Sequence, residues 1–419
     1  MRILIKNIRG LAGVYEEAPS LLSGKEMDKL PMIENAFLAI EDGKIALFGS
    51  MDDWGGITDW RNLEVIDAEG RYVLPAWCDS HTHLVFAGSR ELEFEDRIKG
   101  LTYEEIAKRG GGILNSAAKL ASMSEAELFE KALPRLREAI DMGTGAMEIK
   151  SGYGLSTKNE LKMLRVIKDL QKETGIAIKS SFLGAHAIAA EYAGKRRAYI
   201  DLILEEMIPA VAEEKLADYV DAFCEEGYFS VGETMEIVER GAEFGLKSKI
   251  HVNQFNALGA IPELVKAGAI SVDHLEVLED ADIEALNGSG TIATALPLCS
   301  LFLSIPYTPS RRLIDNNAAL ALATDFNPGS APSSNMALAV SLACIKMNMT
   351  PAEAINAATL NGAAAMELSD THGSITPGKV ANVLITEKCE HLSFLPYSFG
   401  KPAIGGVINH GKVIKEIED

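Results

Sequence analysis

Long apolar runs, positive charge and cysteine are all scarce in this chain, and each scarcity excludes something. No run of about 18 apolar residues occurs, so no membrane-spanning helix is expected. Lys and Arg number 40 against 60 Asp and Glu, giving a formal charge of -20. That field argues against nucleic acid and anionic membrane surfaces as partners. An anionic substrate would therefore need a local Arg or Lys. The five cysteines (Cys78, Cys224, Cys299, Cys344 and Cys389) are odd in number and scattered, mostly in apolar segments. They read as free thiols in a reducing cytoplasm rather than a disulfide framework. The first six residues, Met-Arg-Ile-Leu-Ile-Lys, are too short and too charged for a secretory apolar core, so the expected location is cytoplasmic.

What is present is the material of a globular core. Hydrophobic residues make up 47% of 419 positions, and no long low-complexity tract interrupts them. This length suits one large barrel with a small accessory domain better than a string of small domains. Near the start, an apolar run at 36–40 meets Asp42-Gly43 and resumes at 45–49. Asp-Gly between two such runs is a strong hairpin signal. The end of the chain repeats the texture at 380–385 and 405–408, with a turn at His410-Gly411-Lys412. Both termini, 1–72 and 374–419, are expected to meet in one small β-sandwich.

The middle, 73–373, alternates strands and helices. Strand candidates are 77–84, 145–150, 177–184, 220–225, 247–251, 270–274, 291–296 and 320–325. Ser124/Glu127, Thr157/Glu160 and Ser230/Glu233 read as capping boxes. Thr350-Pro351 adds a proline at a first helical position, and Gly245 ends a helix before the fifth strand. Eight βα units in about 300 residues predict a TIM (β/α)8 barrel, an α/β fold. His81, His83, His186, His251, His274 and Asp325 all fall at or just past C-terminal strand ends, where such barrels keep their chemistry.

The segment Asp79-Ser80-His81-Thr82-His83 is the sharpest signal. Strand side chains alternate, so two histidines two apart face the same side and can grip one cation. His251 and Asp325 complete a mononuclear set. Imidazole and carboxylate ligands around a divalent metal make a hydrolytic site, because the metal generates hydroxide at neutral pH. The ligand types accept Zn2+ or Fe2+.

This order of ligands, with His274 one strand after His251, resembles the amidohydrolase superfamily, as does a β-domain built from both termini. Three further segments resemble the imidazolonepropionase family within it: Lys150-Ser-Gly-Tyr-Gly-Leu155, Phe182-Leu-Gly-Ala-His-Ala187 and Ala323-Thr-Asp-Phe-Asn-Pro-Gly-Ser330. The resemblance implies hydrolysis of the cyclic amide of 4-imidazolone-5-propanoate to N-formimino-L-glutamate, in histidine degradation. Binuclear relatives carry a bridging Lys at the end of the fourth strand. None stands there, which implies a single metal ion. Dimers are common in that superfamily, so a homodimer is compatible, although no interface is legible.

The resemblance also distributes roles. Asp325 would be ligand and proton acceptor, and His274 would polarise the scissile carbonyl. At Gln254 the family has Glu or Gln. Gln cannot take a proton, so here it can only orient through its amide. Arg90 would hold the substrate's propionate tail with a planar donor fork. Position alone leaves a salt bridge to Glu91, Glu93 or Glu95 equally open. Tyr153 and His186 would add hydrogen bonds to tail or ring. Asn327, Gly329 and Ser330 would offer a turn whose backbone N–H groups reach the ligand. Asp273 is expected to face the barrel wall, Cys78 to pack behind it, and Lys150 to be either an ion-pair partner or a site residue. Tyr103 lies near the mouth, and Gly110-Gly111-Gly112 reads as a lid hinge. Two rival readings remain. One is a deaminase of a purine, pyrimidine or formimino compound; the other is a non-catalytic scaffold of the same fold.

Overall fold

The computed structural model describes residues 2–101, 105, 111–401 and 403–417. Tyr103 and Gly110 lie outside the described residues. Eight parallel strands follow one another in chain order: Trp77–Asp79, Thr144–Lys150, Ala177–Ala185, Tyr219–Cys224, Lys247–Val252, Ser271–His274, Ile292–Ala295 and Ala319–Leu322. They are numbered one to eight below. Each pairs with the next in parallel, and helices fill most of the intervals, as the alternating pattern predicts. The ring closes just beyond the ends of strands one and eight. Thr82 bridges Phe326, the Asp325 N–H donates to the His81 carbonyl at 3.0 Å, and the His83 N–H donates to the Phe326 carbonyl at 2.9 Å. The residues that close the barrel are thus the ones that carry the histidine pair and Asp325.

Capping chemistry starts the helices where expected, with one exception. Ser124/Glu127, Ser230/Glu233 and Thr350/Glu353 each form the reciprocal box, satisfying two otherwise orphaned N–H groups. At the Thr157/Glu160 signal the cap is Ser156, one residue earlier than expected, and it accepts from the Asn159 N–H. Glu160 is not part of a box. Its buried carboxylate accepts N–H bonds from Gly152, Gly154 and Leu155 at 2.9, 2.7 and 2.8 Å. Those bonds fold the loop after strand two, and that demand outweighs the local cap.

The termini build one eight-stranded mixed sheet, in the order 412–415, 404–409, 383–386, 72–75, 2–12, 32–41, 44–50, with Leu63–Asp67 pairing alongside Arg2–Ala12. Its own core includes Ile3, Ile5, Ile8, Leu38, Val383 and Ile408. The hairpin turn has φ of 48° at Asp42 and 79° at Gly43, the two left-handed residues that a type I′ turn requires. The expected boundary at 72/73 falls inside the strand Tyr72–Pro75, which pairs antiparallel with Val383–Thr386. The segment after the strand Arg2–Ala12 also reaches across to the barrel. Asn361 ties the Leu22 N–H and carbonyl at 2.9 Å each and the Leu320 carbonyl at 2.9 Å.

Candidate active site

The site sits beyond the C-terminal ends of strands one, five, six and eight. His81, His83, His251, His274 and Asp325 are all buried, at 3% exposure or less. Their positions are held by backbone that ordinary residues avoid. Asn253, His274, Leu275 and Asp325 have φ of 57°, 91°, 65° and 55°. Left-handed non-glycine residues cost about 1–3 kcal/mol each and persist where the surroundings fix them. Here they turn the chain sharply off each strand end, so that side chains point into the mouth.

Three nitrogens and a carboxylate oxygen converge. The His83 Nε2 lies 3.2 Å from the His251 Nε2, and the Asp325 Oδ1 lies 3.6 Å from both the His81 Nε2 and the His83 Nε2. The His81 Nε2 is buried without a hydrogen-bond partner. Ligand atoms about 2.0–2.1 Å from a tetrahedral cation lie roughly 3.3 Å apart, and the side chains here form two overlapping groups close enough to hold an ion, His81–His83–Asp325 and His81–His251–His274. The ring protons are placed to suit. The His81 Nδ1 meets the Asp273 Oδ2 at 2.7 Å, and the His251 Nδ1 meets the Asp221 Oδ2 at 2.8 Å. An ionised carboxylate only accepts, so both rings carry their proton on Nδ1 and aim an Nε2 lone pair at the centre. Burial holds all three imidazoles well below their usual range, which keeps them neutral. Burial also pushes the Asp325 carboxyl up to about 6, against the nearby positive tendency of His274 and the Asn327 amide.

Asp273 therefore does not face the barrel wall. It points inward and fixes His81, because residues on strand six alternate with Val272, which is the one packed outward in the apolar core. Cys78 does lie away from the mouth, buried against Ala146, Ala363 and Met366. All five cysteines are free thiols.

His274 differs from the other imidazoles. Burial pulls it down, but the Glu276 carboxylate, 3.3 Å from its Nδ1, and then Asp325 and Asp273 raise it above the ordinary value. Gln254 is buried, with its Nε2 3.3 Å from the Cys299 Sγ. The His186 ring stacks on His83 with centroids 5.3 Å apart, and its Nδ1 meets the Gly152 carbonyl at 3.0 Å. Burial depresses it to about 4. The Tyr153 ring lies 5.3 Å from His186 and 6.0 Å from His83. This pair is set by the loop that Glu160 folds.

Arg90 is on the same side of the site, and its charge bears on His186. It is engaged with Glu93 through Nε at 2.7 Å and Nη2 at 2.6 Å, with its side chain 8% exposed. Gly329 makes room for it, since a Cβ there would lie 2.3 Å from the Arg90 Nη1. The turn after strand eight is closed on itself. The Asn327 Oδ1 accepts the Gly329 and Ser330 N–H groups at 2.7 and 2.8 Å, and its Nδ2 donates to the Asp325 carbonyl at 2.6 Å and the Ser330 Oγ at 2.7 Å. Those two N–H groups, expected to reach a ligand, are spent inside the turn. The Ser330 Oγ instead donates to the Asp325 Oδ2 at 3.3 Å.

Asp221, Glu276, Cys299, Glu148 and Lys249 were not singled out by the sequence. A signal existed for two of them: a charged residue two before another inward residue on an apolar strand, as in Lys249/His251 and Glu148/Lys150.

The profile of the amidohydrolase family matches residues 72–416. An imidazolonepropionase of Christiangramia forsetii is 58% identical over 414 residues, covering 99% of this chain and all of that one. Another from Flavobacterium johnsoniae has the same identity and coverage. Among solved structures, the guanine deaminase of E. coli superposes with a TM-score of 0.75 over 100% of both chains at 14% identity, which speaks to the fold alone. No described helix is long and apolar enough to cross a membrane. The chain belongs to the amidohydrolase family and, within it, to the imidazolonepropionases.

Proposed function

We propose that this chain hydrolyses the cyclic amide of 4-imidazolone-5-propanoate to N-formimino-L-glutamate, with one divalent ion, Zn2+ or Fe2+, held by His81, His83, His251 and Asp325. The observation that carries the reading is the convergence of three imidazoles and a carboxylate at the barrel mouth, in a chain 58% identical to imidazolonepropionases along its length. A bound divalent ion acidifies water and polarises a carbonyl.

The side chains supply the rest. The Asp325 Oδ2, on the oxygen away from the histidines, takes the proton from the attacking water as its oxygen adds to the ring carbonyl carbon. The same oxygen returns the proton to the ring nitrogen as the C–N bond breaks. Ser330 steadies that oxygen through its hydroxyl. His274, whose Nδ1 faces the Glu276 carboxylate at 3.3 Å, donates from its ring to the carbonyl oxygen as charge develops there. Gln254 orients the substrate through its amide and takes no proton. The Arg90 guanidinium receives the tail carboxylate, and Tyr153 and His186 line the ring and tail. Asn327 and Gly329 act at one remove: the first shapes the turn under Asp325, the second gives Arg90 its space.

The test is ring opening of freshly prepared 4-imidazolone-5-propanoate, followed as loss of its ultraviolet absorbance, with metal content measured on the same sample. Turnover with about one ion per chain supports the reading. Deamination of guanine or cytosine without ring opening overturns it.

A further inference from the structure

Below the mouth, the barrel interior holds a layer of charge where bulky apolar side chains usually pack. Glu148 and Lys150 on strand two, Asp221 on strand four, Lys249 on strand five and Asp273 on strand six are all 0% exposed. The Lys150 Nζ lies 2.7 Å from the Glu148 Oε1, 2.9 Å from the Asp221 Oδ2 and 3.6 Å from the Asp273 Oδ2. The Lys249 Nζ lies 3.3 Å from the Glu148 Oε2 and 2.7 Å from the Ser271 Oγ. Two ammonium groups thus face three carboxylates in one connected layer.

Such a layer is a poor source of stability. Desolvating ions costs as much as their attraction returns, and apolar side chains of similar volume often do as well or better. Its geometry has a different use. The Asp221 Oδ2 and the Asp273 Oδ2 are the same oxygens that accept the Nδ1–H of His251 and His81. One ammonium group therefore lies between the two carboxylates that orient two imidazoles, from strands one and five.

We propose that Lys150 is a positioning residue for the metal centre: it pins Asp221 and Asp273 together, and through them sets the direction of the His251 and His81 lone pairs. Without the ammonium, two buried carboxylates lose their shared counter-charge and repel in a low-dielectric interior. They move apart or rotate, and each carries its imidazole with it. The inference rests on the ligand set proposed above. Lys249 reaches Glu148 and Ser271, and neither of those oxygens accepts from a ligand histidine. Of the two lysines, only Lys150 is ion-paired with both orienting carboxylates.

The experiment is Zn2+ affinity, by competition with a chromophoric chelator, for the wild type, Lys150→Met, Lys150→Gln and the double variant Lys150→Met/Asp221→Asn. Circular dichroism and melting of each apoprotein report the fold, and the visible spectrum of the Co2+ form reports ligand geometry. Disturbing partners of metal-bound histidines typically costs 10–100-fold in affinity, and that loss is expected for both single variants, with a changed Co2+ spectrum. The double variant should recover at least about threefold relative to Lys150→Met. It removes one of the repelling charges, while the amide oxygen still accepts from His251. A folded Lys150→Met that binds Zn2+ within about threefold of wild type, with an unchanged Co2+ spectrum, overturns the inference and leaves the ligand set standing. Collapse of all three variants overturns it too, by making Lys150 a requirement of the fold. A wild type that takes up no Zn2+ overturns the ligand set itself, and this inference with it.

Discussion

Gly329→Ala tests tail recognition through a residue that carries no side chain of its own. The added Cβ would stand 2.3 Å from the Arg90 Nη1 and 2.8 Å from its Cζ. An ordinary contact is about 3.5 Å, so the guanidinium must retreat roughly 1 Å. It can do so, because the obstacle is the far end of a long side chain, and stability should change by no more than about 0.5 kcal/mol. Its pairing with Glu93 and its alignment with a substrate carboxylate are what suffer. A hydrogen bond to a charged group is worth about 1.5–3 kcal/mol, or one to two decades at about 1.4 kcal/mol per decade. Initial rates on 4-imidazolone-5-propanoate should therefore show kcat/KM lowered by 10–100-fold, carried mainly by KM. Arg90→Met should lose a similar factor. The double variant Gly329→Ala/Arg90→Met should lose no more than Arg90→Met alone, since the glycine acts only through the arginine. An analogue with its tail carboxylate amidated should be indifferent to all three. Losses that multiply in the double variant, or equal losses on the amidated analogue, would refute the assignment of Arg90 to the tail.

Three further outcomes are expected. Asp325→Asn should lower kcat by about 10² or more, because the amide cannot carry the proton; a retained kcat would move the base elsewhere, and Gln254 could not inherit it. His251→Ala should strip the metal while circular dichroism stays close to wild type, since the barrel core lies below the mouth; full metal content in the variant would remove His251 from the ligand set. Glu160→Gln should destabilise the protein by about 1.5–3 kcal/mol, read as a lowered urea midpoint, because an acceptor-only carboxylate serving three N–H groups becomes an amide with two donors among them. The same change should raise KM through the loop that seats Tyr153 and His186, and an unaltered midpoint would show that the loop holds without that carboxylate.

The barrel was legible because its signals are local and agree with one another. Apolar runs of strand length, separated by capped helices, place eight strands within a few residues of the observed ones, and the Asp42-Gly43 and His410-Gly411 turns mark their hairpins. The histidines were legible because chain position encodes depth: the residue just past a strand end is at the mouth. Two things were not. The Thr157/Glu160 pair satisfies the capping pattern, yet Glu160 serves a loop that folds back from 152–155, a tertiary demand the local pattern does not contain. Nor does the boundary at 72/73 appear as a break, because Tyr72–Pro75 is as apolar as the barrel strand that follows it.

The buried charge layer illustrates the harder limit. On strand six, Asp273 adjoins a residue already assigned to the site, and side chains alternate, so treating His274 as the inward residue sends Asp273 to the wall. The backbone escapes that choice by turning left-handed at His274 and Leu275, with φ of 91° and 65°. Asp273 then keeps the regular inward position of its strand, and His274 reaches the mouth from the turn instead. One departure from strand geometry thus lets two neighbours serve the same centre at different depths, Asp273 from below through His81 and His274 from above. The same geometry holds at the end of strand five, where His251 keeps the strand and the left-handed Asn253 turns the chain before the buried Gln254, whose Nε2 lies 3.3 Å from the Cys299 Sγ. Alternation read along a sequence locates the lower of two such layers only when the turn that ends the strand is known, and that turn is paid for by contacts from other strands.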